Sequence, residues 1–249
     1  MPGTSPGMTR GVSGPPPPMR TRIKICCISS RAEAEAAVAA GADALGLVSA
    51  MPSGPGVIAE ALIAEIAATV PPAVGTFLLT SETEAGAIVA QQRRCGVNTV
   101  QLCDALATAA YPALKEAMPG VRLVQVIHVR GEESVAEAAR IATTVDGLLL
   151  DSGDPTRAVK ELGGTGRVHD WALSRRIVAA SPCPVFLAGG LRAENVAEAI
   201  RRVRPYGVDL CTGVRTDGAL DPARLAAFMA AVAAADTPSR LPSQAKRPY

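Results

Sequence analysis

Arg22-Ile23-Lys24-Ile25-Cys26-Cys27-Ile28 is followed by an Ala/Glu-rich run from Ser30 to Gly41, and then by Ala44-Leu45-Gly46-Leu47-Val48. The first and third runs are short, apolar and partly β-branched, which is strand chemistry. The middle run is made of strong helix formers. Ser30 with Glu33 three residues on has the form of a capping box, and Gly41 stands where a left-handed C-terminal cap belongs. A strand, a helix and a strand in so short a span make the two strands parallel, because the helix is the crossover that returns the chain to the same edge.

The unit recurs. Further strand candidates are Val74–Leu79, Thr99–Cys103, Val121–Val129, Gly147–Asp151, Pro184–Ala188 and Val208–Thr212, with helical spacing between them. Ser81 with Glu84 repeats the capping-box form, and Gly96 repeats the C-terminal glycine. Pro71-Pro72 stops one helix ahead of a strand. Eight such units in about 215 residues suit a closed (β/α)8 barrel, the TIM-barrel architecture, in one domain over residues 21–235. An open doubly wound sheet is the main alternative. The loop after the second strand, Ser53-Gly54-Pro55-Gly56, is the weakest segment, and the start of its helix is ambiguous. Residues 1–20, ending in Pro15-Pro16-Pro17-Pro18, read as a disordered Pro/Gly-rich tail, and residues 236–249 as a flexible C-terminal tail.

Composition removes several function classes. The chain has 249 residues, 48% of them hydrophobic, with 25 Lys+Arg against 23 Asp+Glu and no basic block. Neither a nucleic-acid nor an acidic-membrane partner is indicated, and 3% aromatics argue against base-stacking surfaces. No run has the roughly 20 apolar residues that span a bilayer, and no secretory signal precedes the body. The six cysteines match neither a paired Cys-x-x-Cys metal site nor a small disulfide scaffold, so a reduced, cytoplasmic protein is expected, as a monomer or homodimer.

In such a barrel the chemistry sits at the C-terminal strand ends. Period-two alternation puts Ile23, Ile25 and Cys27 on the helix-facing side of the first strand and points Lys24 and Cys26 toward the barrel axis. A lysine beside a thiol favours the reactive thiolate; the alternative is a small buried hydrophobe. Asp151 ends the sixth strand, either as a general acid or as the polar start of a loop. The loop after it carries Gly163-Gly164-Thr165-Gly166, an anion cradle or a plain linker. Gly189-Gly190 after the seventh strand and Thr212-Gly213 after the eighth occupy the loops where barrels of this type hold a phosphate. By the same alternation Gln101 and Asp209 face inward, placed to orient a polar substrate or to sit as satisfied core residues.

These motifs resemble one family, the phosphoribosylanthranilate isomerases. The matching stretches are Lys24-Ile25-Cys26, Gly41 to Gly46, Val100-Gln101-Leu102, Leu149-Leu150-Asp151-Ser152, Gly163-Gly164-Thr165-Gly166 with Asp170-Trp171, Ala188-Gly189-Gly190-Leu191 with Glu194-Asn195-Val196, and Val208-Asp209 with Gly213-Val214. They run in the family's order from about Arg22 to Val232. The resemblance implies an Amadori rearrangement of N-(5-phosphoribosyl)anthranilate, with no cofactor and no metal. It implies Cys26 as general base and Asp151 as general acid, with a small phosphorylated sugar as the ligand. Gly164, Gly189, Gly190 and Gly213 would then cradle the phosphate, while Lys24, Gln101, Asp209 and Thr212 line the rest of the site.

The chain departs from that pattern at four places. Cys27 stands where the family has glycine, Cys103 where it has histidine, and Gln125 where it has an inward lysine. The second βα loop has no arginine to pair the anthranilate carboxylate; Arg31, Arg192 and Arg215 are the candidates to replace it. Two other readings follow: a paralogue that binds or isomerises a different phosphorylated sugar, and a non-catalytic barrel in which Cys26, Cys103 and Cys211 hold a soft metal. His128 is ambiguous in direction, and His169 reads as a surface or capping residue.

Overall fold

The computed structural model describes residues 20–164 and 166–237. Eight parallel strands close on themselves in sequence order: β1 Arg22–Ile25, β2 Ala44–Val48, β3 Gly75–Thr80, β4 Thr99–Leu102, β5 Arg122–His128, β6 Gly147–Asp151, β7 Val185–Leu187 and β8 Gly207–Leu210. β8 pairs with β1 in the register Lys24 to Asp209 and Ile25 to Leu210, which closes the ring. The intervening helices are α1 Arg31–Ala39, α2 Glu60–Thr69, α3 Ala85–Cys95, α4 Ala110–Ala117, α5 Glu132–Ile141, α6 Trp171–Ala180 and α7 Ala193–Val203, with α8 Pro222–Asp236 after the last strand. This is the (β/α)8 barrel expected from the alternation. Among the described residues no helix is long and apolar enough to cross a membrane.

The two faces of the strands carry two cores. Ile23, Ile25, Leu45, Leu78, Leu148 and Val208 pack outward with the helices. Phe77, Val124, Val126, Leu149 and Phe186 fill the interior. The rings of Phe77, Phe186 and Tyr206 meet edge to face inside the barrel, with centroids 5.9 and 5.4 Å apart. The Lys24 ammonium lies 5.3 Å from the centre of the Phe77 ring and 2.8 Å from Asp209 Oδ1. An aromatic layer and an ion pair thus close the barrel beneath the strand ends.

Local signals are kept in part. Glu33 N donates to Ser30 Oγ at 3.2 Å, while the Glu33 carboxylate reaches one residue further back, to the Ser29 amide at 2.9 Å. Gly96 ends α3 in the left-handed conformation, with φ 66°. The Ser81–Glu84 capping box does not form: Ser81 Oγ donates to Ala50 O at 2.9 Å, tying two loops together, and α3 starts one residue after Glu84. In the loop after β2, Val57 bridges to Val48 before α2 begins. The tail boundaries shift inward to the barrel's benefit. Arg20 pairs with Asp43, and Asp236, the last residue of α8, accepts from Thr21 N at 2.8 Å and Thr21 Oγ1 at 2.7 Å. The remainder of both proposed tails lies outside the described residues.

Glu33 joins the two ends of the barrel. Besides Ser29 it accepts from Arg215 Nη1 and Nη2 at 2.9 Å each and from Leu220 N at 2.8 Å. These partners belong to the hairpin of β9 Arg215–Thr216 and β10 Ala219–Leu220 that follows β8. Burial alone would raise the Glu33 carboxyl, but Arg215 and the two amides outweigh it and pull its pKa from 4.5 to about 2. A depressed carboxyl stabilises the fold fully above its unfolded value, and the contribution is lost as pH falls from 4.5 to about 2. Glu33→Gln, which leaves Arg215 buried against an uncharged amide, is expected to cost about 3 kcal/mol at neutral pH. Urea midpoints should show the gap between the two proteins narrowing over that acid window. A gap that is constant with pH would refute the linkage.

Candidate active site

A cavity opens at the C-terminal end of the strands. Cys26 stands on its wall just beyond β1, held by the bond from its amide to Leu210 O at 2.8 Å. Gly46 on the next strand makes the room: a Cβ there would lie 2.7 Å from Cys26 Sγ and 3.0 Å from Lys24 Nζ. Lys24 therefore lies fully buried beside the thiol and does not itself line the cavity. Burial opposes its charge, but Asp209, with Cys26 and Cys27 nearby, outweighs that cost and raises the ammonium's pKa above its ordinary value. Asp209, level with Lys24 in the sheet, lines the cavity.

Asp151, the last residue of β6, lines the same cavity and is 7% exposed. Its Oδ1 accepts from the Ser152 amide at 2.7 Å. The loop above crosses so closely that a Cβ on Gly163 would meet Asp151 Oδ2 at 2.8 Å. Burial raises the Asp151 pKa; the Ser152 amide and His128 oppose the shift, and Asp209 adds to it. The setting moves Asp151 toward its protonated form. Gln101 is buried on the cavity wall with its Oε1 lacking a hydrogen-bond partner, an acceptor open to a ligand hydroxyl.

A second cavity adjoins the first between the loops after β7 and β8, at the start of α7. Gly190 and Gly213 line it with Thr212. Gly190 has φ 61°, and a Cβ on Gly213 would sit 2.1 Å from Leu191 O, so neither position admits a side chain. Arg192 N donates to Asn195 Oδ1 at 2.9 Å, and Asn195 Nδ2 donates to Gly190 O at 3.0 Å, which fixes the loop against the helix. A helix start beside glycines is the kind of place where backbone amides meet an anion.

Of the residues singled out from sequence, Cys26, Asp151, Gln101, Asp209, Gly164, Gly189, Gly190 and Thr212 line the main cavity. Gly213 lines only the second, and Lys24 lies beneath. Gly164 packs on Pro55, where its Cβ would lie 2.7 Å from Pro55 Cδ, whereas Gly166 borders both cavities and is the better-placed glycine of that loop.

The structure corrects the expected directions of Cys27 and Gln125 and settles that of His128. Cys27 does not face the helices: it has φ 62° and joins Cys26 on the cavity wall. The extended conformation ends at Ile25, so the period-two count no longer applies. On β5 the inward residues are Val124, Val126 and His128, and Gln125 points outward, where Tyr111 Oη donates to its Oε1 at 2.9 Å. Gln125 is therefore no counterpart of an inward lysine. His128 stands in register with Asp151, and its Nε2 lies 3.1 Å from Cys103 O. It shares the period-two face of Val124 and Val126. Cys103 and Cys211 do reach the cavity, but burial pushes the Cys103 thiol up to about 12, and among the described residues no group of three His, Cys, Asp or Glu is disposed to hold a metal.

Among the described residues no lysine or arginine lines the main cavity. Arg31 pairs with Glu65 and Arg192 with Glu194 at the surface, and Arg215 is committed to Glu33. At Gly56 a Cβ would lie 2.4 Å from Cys27 Cβ.

A closed barrel with a thiol and a carboxyl group on one cavity at its C-terminal rim, and a second cavity beside it at the start of α7, has the layout of a (β/α)8 enzyme. Comparison with known proteins resolves the kind. Residues 23–231 match the model of the N-(5'phosphoribosyl)anthranilate (PRA) isomerase family, and the chain belongs to that family. An N-(5'-phosphoribosyl)anthranilate isomerase of Chromohalobacter salexigens is 40% identical over 226 residues, covering 89% of this chain and 99% of the relative. The phosphoribosyl anthranilate isomerase structure from Thermotoga maritima superposes with TM-score 0.74 at 27% identity, covering 86% of this chain and 99% of that one. Another isomerase structure, determined in complex with reduced 1-(o-carboxyphenylamino)-1-deoxyribulose 5-phosphate, superposes with TM-score 0.72 at 25% identity, covering 86% and 99%.

Proposed function

We infer that this chain isomerises N-(5-phosphoribosyl)anthranilate to the corresponding 1-amino-1-deoxyribulose 5-phosphate, an aldose–ketose step of tryptophan biosynthesis. The reading rests above all on one observation: Cys26 and a carboxyl group held toward its protonated form, Asp151, face one cavity that adjoins a second pocket at the start of α7. The substrate's phosphate enters that pocket at Gly166, Gly190 and Gly213, where backbone N–H groups carry its charge. Asp151 then gives its proton to the ribose ring oxygen as the ring opens to a Schiff base. Cys26, as thiolate, takes the proton from C2′, and the enolamine tautomerises to the ketone. Lys24 is the cation nearest that thiol and is fixed by Asp209. Gln101 Oε1 orients a sugar hydroxyl. The site of action is the cytoplasm.

The anthranilate ring meets Val48, Met51, Leu79 and Leu162, an apolar surface without a cation. That surface favours a second reading, a paralogue taking an N-phosphoribosyl amine whose other half is uncharged. Loss of substrate fluorescence on adding purified protein to N-(5-phosphoribosyl)anthranilate separates the two. Turnover without added metal or cofactor is the expected result. Binding of the phosphate ester with no turnover would move the assignment to the paralogue.

A further inference from the structure

Three thiols crowd the place where β1 and β8 end. Ile25 is in register with Leu210, and the Cys26 amide bonds to Leu210 O, so the segments carrying Cys26–Cys27 and Cys211 run side by side. Continued past Leu210, that register sets Cys211 opposite Cys26 with Cys27 one residue further; a strand spacing of about 4.8 Å and a rise of about 3.3 Å put such a diagonal pair roughly 5.8 Å apart, inside the roughly 4.4 to 6.8 Å between Cα atoms that a disulfide spans. The left-handed turn at Cys27 carries its side chain off the strand direction, onto the small cavity where Cys211 also stands. That cavity is bounded also by Ser29, Pro55 and Arg215, and Cys211 is half-buried rather than sealed.

Arg215 completes the group. Its side chain is 7% exposed, Glu33 anchors it, and Nη2 donates to Cys27 O. Its Nε has no hydrogen-bond partner, and its charge acts on Cys211. The neighbouring Cys27 thiol, with the Arg215 charge, holds Cys211 below the ordinary thiol value against the cost of burial. Cys211, the contact with Cys26 and burial together hold Cys27 above it. One sulfur of the pair is therefore set up as nucleophile and the other as its protonated neighbour.

We propose that Cys211 and Cys27 form a peroxide-sensitive modification site at the mouth of the barrel, which closes to a disulfide. The Cys211 thiolate attacks one oxygen of hydrogen peroxide; the O–O bond breaks, leaving Cys211 sulfenic acid and hydroxide. The Cys27 sulfur then attacks the Cys211 sulfur; the S–O bond breaks, and the hydroxyl leaves as water with the Cys27 proton. Hydroxide from the first step takes up the proton Cys211 had released. In total two thiols lose two electrons, peroxide gains them, and two waters form. The proposal goes beyond the isomerase reading and does not depend on the substrate.

The test uses the full chain, reduced and then exposed to stoichiometric hydrogen peroxide, alkylated and mapped without reduction, with fragmentation between the adjacent cysteines. A Cys27–Cys211 linked peptide, two hydrogens lighter and lost on adding dithiothreitol, is the expected product. Cys27→Ala should stop at a Cys211 sulfenic acid that dimedone traps. A cross-link through Cys26, oxidation of Cys26 ahead of Cys211, or a Cys211 that stays reduced would overturn the proposal. The wild-type map alone is decisive should the variant fail to fold.

Discussion

Cys26→Ser is expected to lower kcat/KM for N-(5-phosphoribosyl)anthranilate by roughly 10³-fold, within the range a positioned general base supplies. The substitution exchanges one small side chain for another at a site 5% exposed, where Gly46 leaves the room, so packing should hardly change. A hydroxyl is far too weak an acid to be present as its anion at neutral pH, so the C2′ proton would have no acceptor. The loss should fall on kcat rather than KM, because the phosphate pocket and the cavity walls are untouched. Steady-state fluorescence assays over a range of substrate concentrations read both constants. Retention of a tenth or more of the activity would place the base elsewhere.

Asp151→Asn should remove a comparable factor, about 10²- to 10⁴-fold in kcat. The amide keeps the shape of the carboxyl and can still accept from the Ser152 amide, but it has no proton to give the ring oxygen. The pH profile carries a further sign. Because burial raises the Asp151 pKa, the active protonated form is lost as pH rises through the folded-state value, and the wild-type rate should decline on that alkaline side. The residual rate of the variant should lack that limb. Stability runs the other way. A raised carboxyl pKa means the charged form burdens the fold at neutral pH, so the uncharged asparagine should leave the melting temperature equal or higher. A variant that loses activity by unfolding would show the opposite change.

Much of this was legible because barrel strands are two-faced. Ile23 and Ile25 against Lys24 and Cys26 already separate the outer core from the axis, and the same count turns Asp209 inward, while its place opposite Lys24 comes from the register of β8 on β1. The glycines after β7 and β8 mark the anion pocket because nothing larger fits there, as Gly213 against Leu191 O makes plain. What alternation could not reach lies beyond strand ends. Cys27 follows a residue that has left the extended conformation, and a single left-handed φ reverses its direction. His128 is ambiguous in a run such as Val121–Val129, apolar on both faces, where composition does not tell the inward face, with Val124 and Val126, from the outward one, with Leu123 and Ile127. Ser81 carries a capping signal, yet a tertiary contact with Ala50 claims its hydroxyl. Glu33 shows its short-range partner in the sequence but not the Arg215 and Leu220 contacts that folding brings to it.

The contact between Cys27 and Gly56 makes these two positions a single locus for evolution and for engineering. Any graft of a cationic side chain at 56, for instance to grip a carboxylated ring, meets the sulfur-bearing carbon at 27 before it reaches the ligand. Trimming 27 to glycine removes that carbon and the sulfur, but the backbone Cα of 27 would still lie 2.9 Å from the new Cβ, and φ at 56 is 80°. A charged residue at 56 therefore demands a shift of the loop backbone as well as the loss of the thiol.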